Sequence, residues 1–139
     1  MKKVLIDTNI ALDILLKRSS FYASSAAVFA FAEKMIITAY VSAASVTDIF
    51  YIASKNIGKE NTREAIKHLF HAFEPVTVTG DNIFKALDLN WDDFEDSVQY
   101  VVGESFSVDY FITRNTKDFS GSNIPAVTPE KFINIITAV

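Results

Sequence analysis

Short apolar, β-rich runs alternate with longer stretches of helical spacing, and this alternation constrains the fold more than any other feature of the chain. Lys3-Val4-Leu5-Ile6 reads as a fully buried strand, halted at Asp7-Thr8-Asn9, three residues that favour turns and helix caps. Further strands are expected at 36–41, at 110–113, at 126–127 and, weakly, at 75–79. Helices are expected over 10–17, 24–35, 45–55, 61–73, 81–89 and 93–105, with a last one started by Thr128-Pro129-Glu130, proline in its first turn. Strands separated by helices pair in parallel through right-handed crossovers, which predicts a three-layer α/β/α sandwich around a mostly parallel sheet. Ligands of such sheets sit beyond the carboxyl ends of the strands.

Composition narrows the class. With 139 residues, half of them apolar and 13% aromatic, residues 1–139 are expected to form a single domain with its own core, and disorder is excluded. The absence of cysteine excludes disulfides, zinc–thiolate sites and cysteine nucleophiles, and suits a cytoplasmic protein. Lys2 and Lys3 precede only three apolar residues before Asp7, so no signal peptide is expected. The most membrane-like stretch, 23–46, is broken by Glu33-Lys34 and by Ser42 and Ser45, so no membrane span is expected either. A net charge of −4 does not attract nucleic acid in bulk; a metal ion or a local basic patch would have to offset it.

Several acidic or amide positions fall at the predicted carboxyl edge. Asp7 follows the first strand, Asp48 and Asp96 are expected in first turns of helices, and Asn115 and Asp118 follow the fourth strand. Converging carboxylates repel one another unless a cation compensates, and Mg²⁺ and Mn²⁺ prefer oxygen ligands. The implied chemistry is metal-dependent hydrolysis of a phosphate ester. Each acid also has a structural reading. Ser45-Val46-Thr47-Asp48 fits a capping-box variant, Asp93-Phe94-Glu95-Asp96 favours a helix N-terminus, and Asp7 can cap the first helix.

At these residues the chain resembles the PIN domain (PilT N-terminal nuclease) family, particularly its VapC-type ribonuclease toxins. The resemblance rests on Val4-Leu5-Ile6-Asp7-Thr8-Asn9-Ile10, Ser45-Val46-Thr47-Asp48-Ile49, Asp93-Phe94-Glu95-Asp96-Ser97-Val98-Gln99, and Asp109-Tyr110-Phe111-Ile112-Thr113-Arg114-Asn115 with Lys117-Asp118-Phe119. It spans 4–132. It implies a twisted five-stranded sheet, Mg²⁺- or Mn²⁺-dependent cleavage of RNA, a homodimer, and a cognate antitoxin whose tail covers the site. It assigns metal-ligand roles to Asp7, Asp48 and Asp96, has Thr8 or Asn9 orient Asp7, and has Thr113 buttress the site.

Two departures stand out. The family usually has Glu at Asp48, so this carboxylate reaches roughly 1.5 Å less. Its fourth acid often stands where this chain has Asn115, an uncharged amide, with Asp118 the substitute ligand. One tightly held ion is therefore expected, with a second recruited along with substrate. These departures leave a second reading open, an attenuated fold that binds RNA or an antitoxin without cutting.

Arg114 and Lys117 flank the acidic edge and are candidates for holding RNA phosphates or for plain surface charge. Lys55, Lys59, Arg63 and Lys67 form a loose basic stripe read as ordinary surface. His68 and His71 have zinc-compatible spacing but no carboxylate partner, and read as solvent-facing. Asp13 is expected to face solvent or cap a neighbour. The aromatics read as packing, and the apolar ending Phe132-Ile133-Asn134-Ile135-Ile136 needs a covering surface. A phosphoryl-accepting receiver domain is disfavoured because the acids fall in helix first turns. A haloacid-dehalogenase phosphatase would want an acid at Asn9, and no Gly-Lys-Ser/Thr phosphate loop occurs.

Overall fold

The computed structural model describes residues 1–138. Five strands, β1 (Lys2–Ile6), β2 (Ile37–Ser42), β3 (Phe73–Val76), β4 (Tyr110–Ile112) and β5 (Ala126–Val127), form one sheet in the order β3-β2-β1-β4-β5. Every neighbouring pair is parallel. Seven helices complete the described residues: α1 (Thr8–Leu15), α2 (Tyr22–Glu33), α3 (Ala43–Ile57), α4 (Lys59–Leu69), α5 (Gly80–Leu89), α6 (Phe94–Ser105) and α7 (Pro129–Thr137). A short 3-10 turn (Thr116–Phe119) lies between β4 and β5. Among the described residues no helix is long and apolar enough to cross a membrane.

The layers follow from the strand period of two. Val4 and Ile6 of β1 point to one face and pack with Ile10, Val28, Ile49 and Phe132 of α1, α2, α3 and α7. Leu5, between them, points to the other face and packs with Ala86 of α5 and Val98 and Val102 of α6. The three residues are at most 1% exposed, as a central strand of a parallel sheet requires. Phe132 is fully buried and meets Tyr110 edge-on at 5.8 Å, so the apolar C-terminal helix is covered by its own chain.

Helix α6 lies close on β4. A Cβ at Gly103 would fall 2.5 Å from the ring of Phe111, so only glycine lets that helix approach its strand.

Three local expectations are corrected. The third strand spans Phe73–Val76 rather than 75–79, and Pro75 sits inside it, paired with Val41, which an edge strand tolerates. Helix α3 begins at Ala43, not at Ser45, because Ser42 both ends β2 and caps the helix through the Ala44 N–H at 3.2 Å. The Ser45–Asp48 capping box therefore does not form. Ser45 is 1% exposed with its hydroxyl unpartnered, and Asp48 lies in the second turn. Asp13, expected to face solvent or cap a neighbour, is fully buried.

Candidate active site

The parallel sheet brings the end of β1 beside the end of β4, with Ile6 in register with Ile112. Asp7 and Thr113, the next residue of each strand, thus become neighbours although 106 residues apart. Asp7 is 7% exposed, and both its carboxylate oxygens are held. Oδ1 accepts from the Thr8 N–H at 2.7 Å and from the Gln99 amide at 2.8 Å. Oδ2 accepts from the Thr113 hydroxyl at 2.6 Å and from the Asn9 amide at 3.4 Å. Donors to a carboxylate make short, strong bonds, and Asp7 also caps α1, where the helix dipole favours negative charge. Thr113 Oγ1 in turn accepts from the Asn115 N–H at 3.0 Å, which ties the start of the 3-10 segment to the same network.

Asp96 differs. Asp93 caps α6 through the Asp96 N–H at 3.2 Å and leaves the Asp96 carboxylate in the first turn, 7% exposed, with no hydrogen-bond donor among the described residues. Burial first, then the charges of Asp93, Asp7, Asp118 and Glu95, push its titration up to about 7. Glu95, one residue earlier, accepts from the Thr8 hydroxyl at 3.2 Å. Its titration is also raised, chiefly by burial and further by Asp7, Asp48 and Asp93, against the lowering effect of that hydrogen bond.

One cleft of about 210 Å³ joins Asp7, Asn9, Asp93, Glu95 and Asp96 with Asn115 and Asp118. Asp48 does not line it. Asp48 lines an adjoining cleft of about 230 Å³ together with Ser45, Phe94 and Gln99, and Glu95 belongs to both. Two residues that the sequence reading left unassigned therefore sit at the centre of the site: Glu95, which bridges the two clefts, and Gln99, 2% exposed, which aims its amide at Asp7. Their signal was their spacing, since Gln99 follows Glu95 by four residues and Asp96 by three, on one helix face.

Arg114 is engaged elsewhere. Its guanidinium bonds the buried Asp13 at 2.9 and 3.3 Å and lies 4.1 Å over the Phe21 ring, while Arg18 reaches the same Asp13 at 3.2 Å. This gives Arg114 a packing role in which its planar fork is already occupied. Lys117 is exposed and has no ion pair among the described residues. Three residues of the basic stripe are engaged locally: Lys55 over Tyr51, Arg63 over Phe50, Lys67 beside Glu64 at 3.6 Å. His68 and His71 are exposed.

Among the described residues no three His, Cys, Asp or Glu are disposed to close on a metal ion by themselves. What the cleft does hold is an ionisable Asp96 without a donor and a buried Asn9 Oδ1 without a partner, beside the fully ordered Asp7. That donor set is all oxygen and incomplete. It fits a hard divalent cation that keeps waters or takes substrate oxygens, and it does not fit a dehydrated cage of protein ligands.

The PIN domain family matches residues 3–117 of the chain. This chain belongs to the PIN-domain family. It is 28% identical over 138 residues to Ribonuclease VapC1 of Aquifex aeolicus (strain VF5), covering 94% of this chain and 93% of the relative. Its fold is similar to a toxin-antitoxin complex from Klebsiella pneumoniae, with a TM-score of 0.68, 23% identity, and 91% and 97% of the two chains covered. It is also similar to VapBC2 from Rickettsia felis bound to a DNA fragment from their promoter, with a TM-score of 0.69, 16% identity, and 91% and 98% covered. The family match spans β1 to the 3-10 turn, and so includes every acid of the two clefts save Asp118, which directly follows it.

Proposed function

We propose that this PIN-domain chain is a divalent-metal-dependent ribonuclease and the toxin of a toxin–antitoxin pair. The observation that carries the reading is that two unlike carboxylates line one cleft: Asp7, fixed by donors from α1, α6 and the end of β4, and Asp96, buried without any. The likeness to Ribonuclease VapC1 and to toxin–antitoxin complexes supports it.

Asp7 and Asp96 would hold the ion, with Asp118 and Asn115 lining the same cleft. A bound Mg²⁺ or Mn²⁺ would supply a water acidified toward neutral pH and a positive charge against the phosphate. The chain's own residues do the rest. Thr113, Gln99 and the Thr8 N–H keep both Asp7 oxygens oriented, which leaves one productive geometry. Glu95, with its raised titration and its hydrogen bond from Thr8, can take a proton from an attacking water or return one to the leaving oxygen. Lys117 supplies a free cation for a neighbouring phosphate of the strand. Exposed Phe84 and Leu87 on α5 offer apolar surface for a second copy of the chain.

One observation favours a second reading, binding of RNA or an antitoxin without cleavage: Asp48 stands in the adjoining cleft rather than beside Asp7 and Asp96. The deciding experiment is cleavage of RNA by antitoxin-free protein with Mn²⁺ or Mg²⁺, with EDTA, and with Asp7→Asn. Cutting that needs the metal and is lost in Asp7→Asn establishes the nuclease. A folded, metal-supplied protein that leaves several RNAs intact establishes the binding reading instead.

A further inference from the structure

A cleft of about 350 Å³ is lined by Trp91, Asp92, Asp93, Lys117, Asp118 and Gly121. It shares Asp93 and Asp118 with the acidic cleft, so the two are continuous. Its size lies within the range of about 300–1,000 Å³ typical of small-ligand sites. We propose that this cleft is a nucleobase subsite, in which Trp91 stacks on a base of the RNA strand next to the scissile phosphate. The inference rests on the ribonuclease reading and adds to it the part of the substrate that the protein recognises.

Three features point to a base rather than to a phosphate. The indole is a fixed, flat wall: it packs against Tyr100 at 5.0 Å with planes inclined by 32°, and Phe119 meets it edge-on at 6.2 Å. Aromatic platforms of this kind bind bases because every base has a π-face. Next, the indole edge is kept open. A Cβ at Gly121 would lie 3.1 Å from Trp91 Nε1 and 3.3 Å from Cε2, so any side chain there would crowd the N–H, which has no partner among the described residues. Finally, the charged lining is three carboxylates to one lysine. That wall repels a phosphate but accepts hydrogen bonds from exocyclic amines, which adenine, cytosine and guanine carry and uracil lacks. Lys117, at the same cleft, is placed for the phosphate that links the bound base to the acidic cleft.

The chain contains a single tryptophan, so its fluorescence reports this cleft alone. The test titrates 2′-O-methyl pentanucleotides into the full chain in EDTA, comparing A-, C-, G- and U-containing strands with an abasic strand of equal charge. Saturable quenching by the amine-bearing bases, weaker with U and absent with the abasic strand, is the expected result. In cleavage assays with Mn²⁺, Trp91→Leu raises KM about tenfold while kcat holds, and Trp91→Phe restores most of the loss. Equal quenching by the abasic strand, or RNA cleavage with no quenching by any base, overturns the subsite while leaving the nuclease standing. Quenching by bases in a protein that never cuts supports the subsite and sinks the ribonuclease reading. Because the fluorescence titration uses the unaltered chain, a misfolded variant cannot decide the outcome.

Discussion

Gln99 donates its side-chain N–H to Asp7 Oδ1 at 2.8 Å, from a position 92 residues away that is 2% exposed. Among the described residues nothing else places a neutral donor from α6 against the carboxylate that follows β1. The bond fixes the rotation of the Asp7 carboxylate while Thr113 fixes the other oxygen. Gln99→Leu keeps the volume and removes the donor. Loss of an outer-shell partner of this type typically lowers metal affinity or activity by about 10–100-fold. A titration of cleavage rate against Mn²⁺ should therefore shift to higher metal concentration, with the far-ultraviolet circular dichroism unchanged. An unshifted titration would show that Thr113 and Thr8 suffice.

Asp96 titrates at about 7 in the folded chain against 3.8 for an ordinary aspartate. The native state thus takes up a proton, relative to the unfolded chain, as pH falls through that interval. Metal-free stability accordingly rises between about pH 7 and pH 4 through this group, and above pH 7 the ionised carboxylate carries its full penalty. Asp96→Asn should stabilise the metal-free protein at pH 8 by on the order of 1 kcal/mol after solvent screening, about 3–5 °C in Tm. The gain should vanish near pH 4, and the variant should not cleave RNA. Thermal melts in EDTA at the two pH values check it; equal gains at both would refute the assignment.

Arg114 and the fully buried Asp13 form a pair whose disruption strands a charge in the interior. Arg114→Met should cost about 3 kcal/mol in urea unfolding, softened because Arg18 stays within 3.2 Å of the same carboxylate. Lys117→Ala, which breaks no such pair, should leave stability unchanged and weaken RNA binding. The reverse pattern would return Arg114 to the RNA surface.

Gly103 faces the Phe111 ring at a distance that admits no Cβ. Gly103→Ala should destabilise by about 1–3 kcal/mol through overpacking, even though alanine is the better helix former. Denaturant midpoints of the two proteins decide this, and a stabilised variant would mean that α6 slides freely on β4.

The strands and the two residues that end them were legible because an apolar run stopped by a polar cluster is a local signal, as in Val4-Leu5-Ile6-Asp7. Thr113 could be placed at the carboxyl edge by the same logic, and Asp96 because a helix antiparallel to the strands starts at that edge. Other features depended on pairings no local pattern carries. Ser42 serves both strand and helix, which moved the start of α3 back two residues and put Asp48 in a second turn. Pro75 reads as a strand boundary, yet an edge strand absorbs it. The burial of Asp13 was invisible because its partner Arg114 stands 101 residues later. Glu95 and Gln99 lay inside a recognised segment, but only the crossing of α6 over the end of β1 shows what they face.

The placement of β1 at the centre of the sheet has a consequence for the order in which the molecule comes into being. During synthesis Asp7 is made 92 residues before Gln99 and 106 before Thr113. Strand β1 cannot acquire its β4 neighbour until residues 110–112 are free to pair, so the nascent chain carries an unfinished cleft until then. A polypeptide cut short before Thr113 retains Asp7 and lacks the hydroxyl that orients it. The network around Asp7 therefore closes only once residues 110–113 have paired with β1.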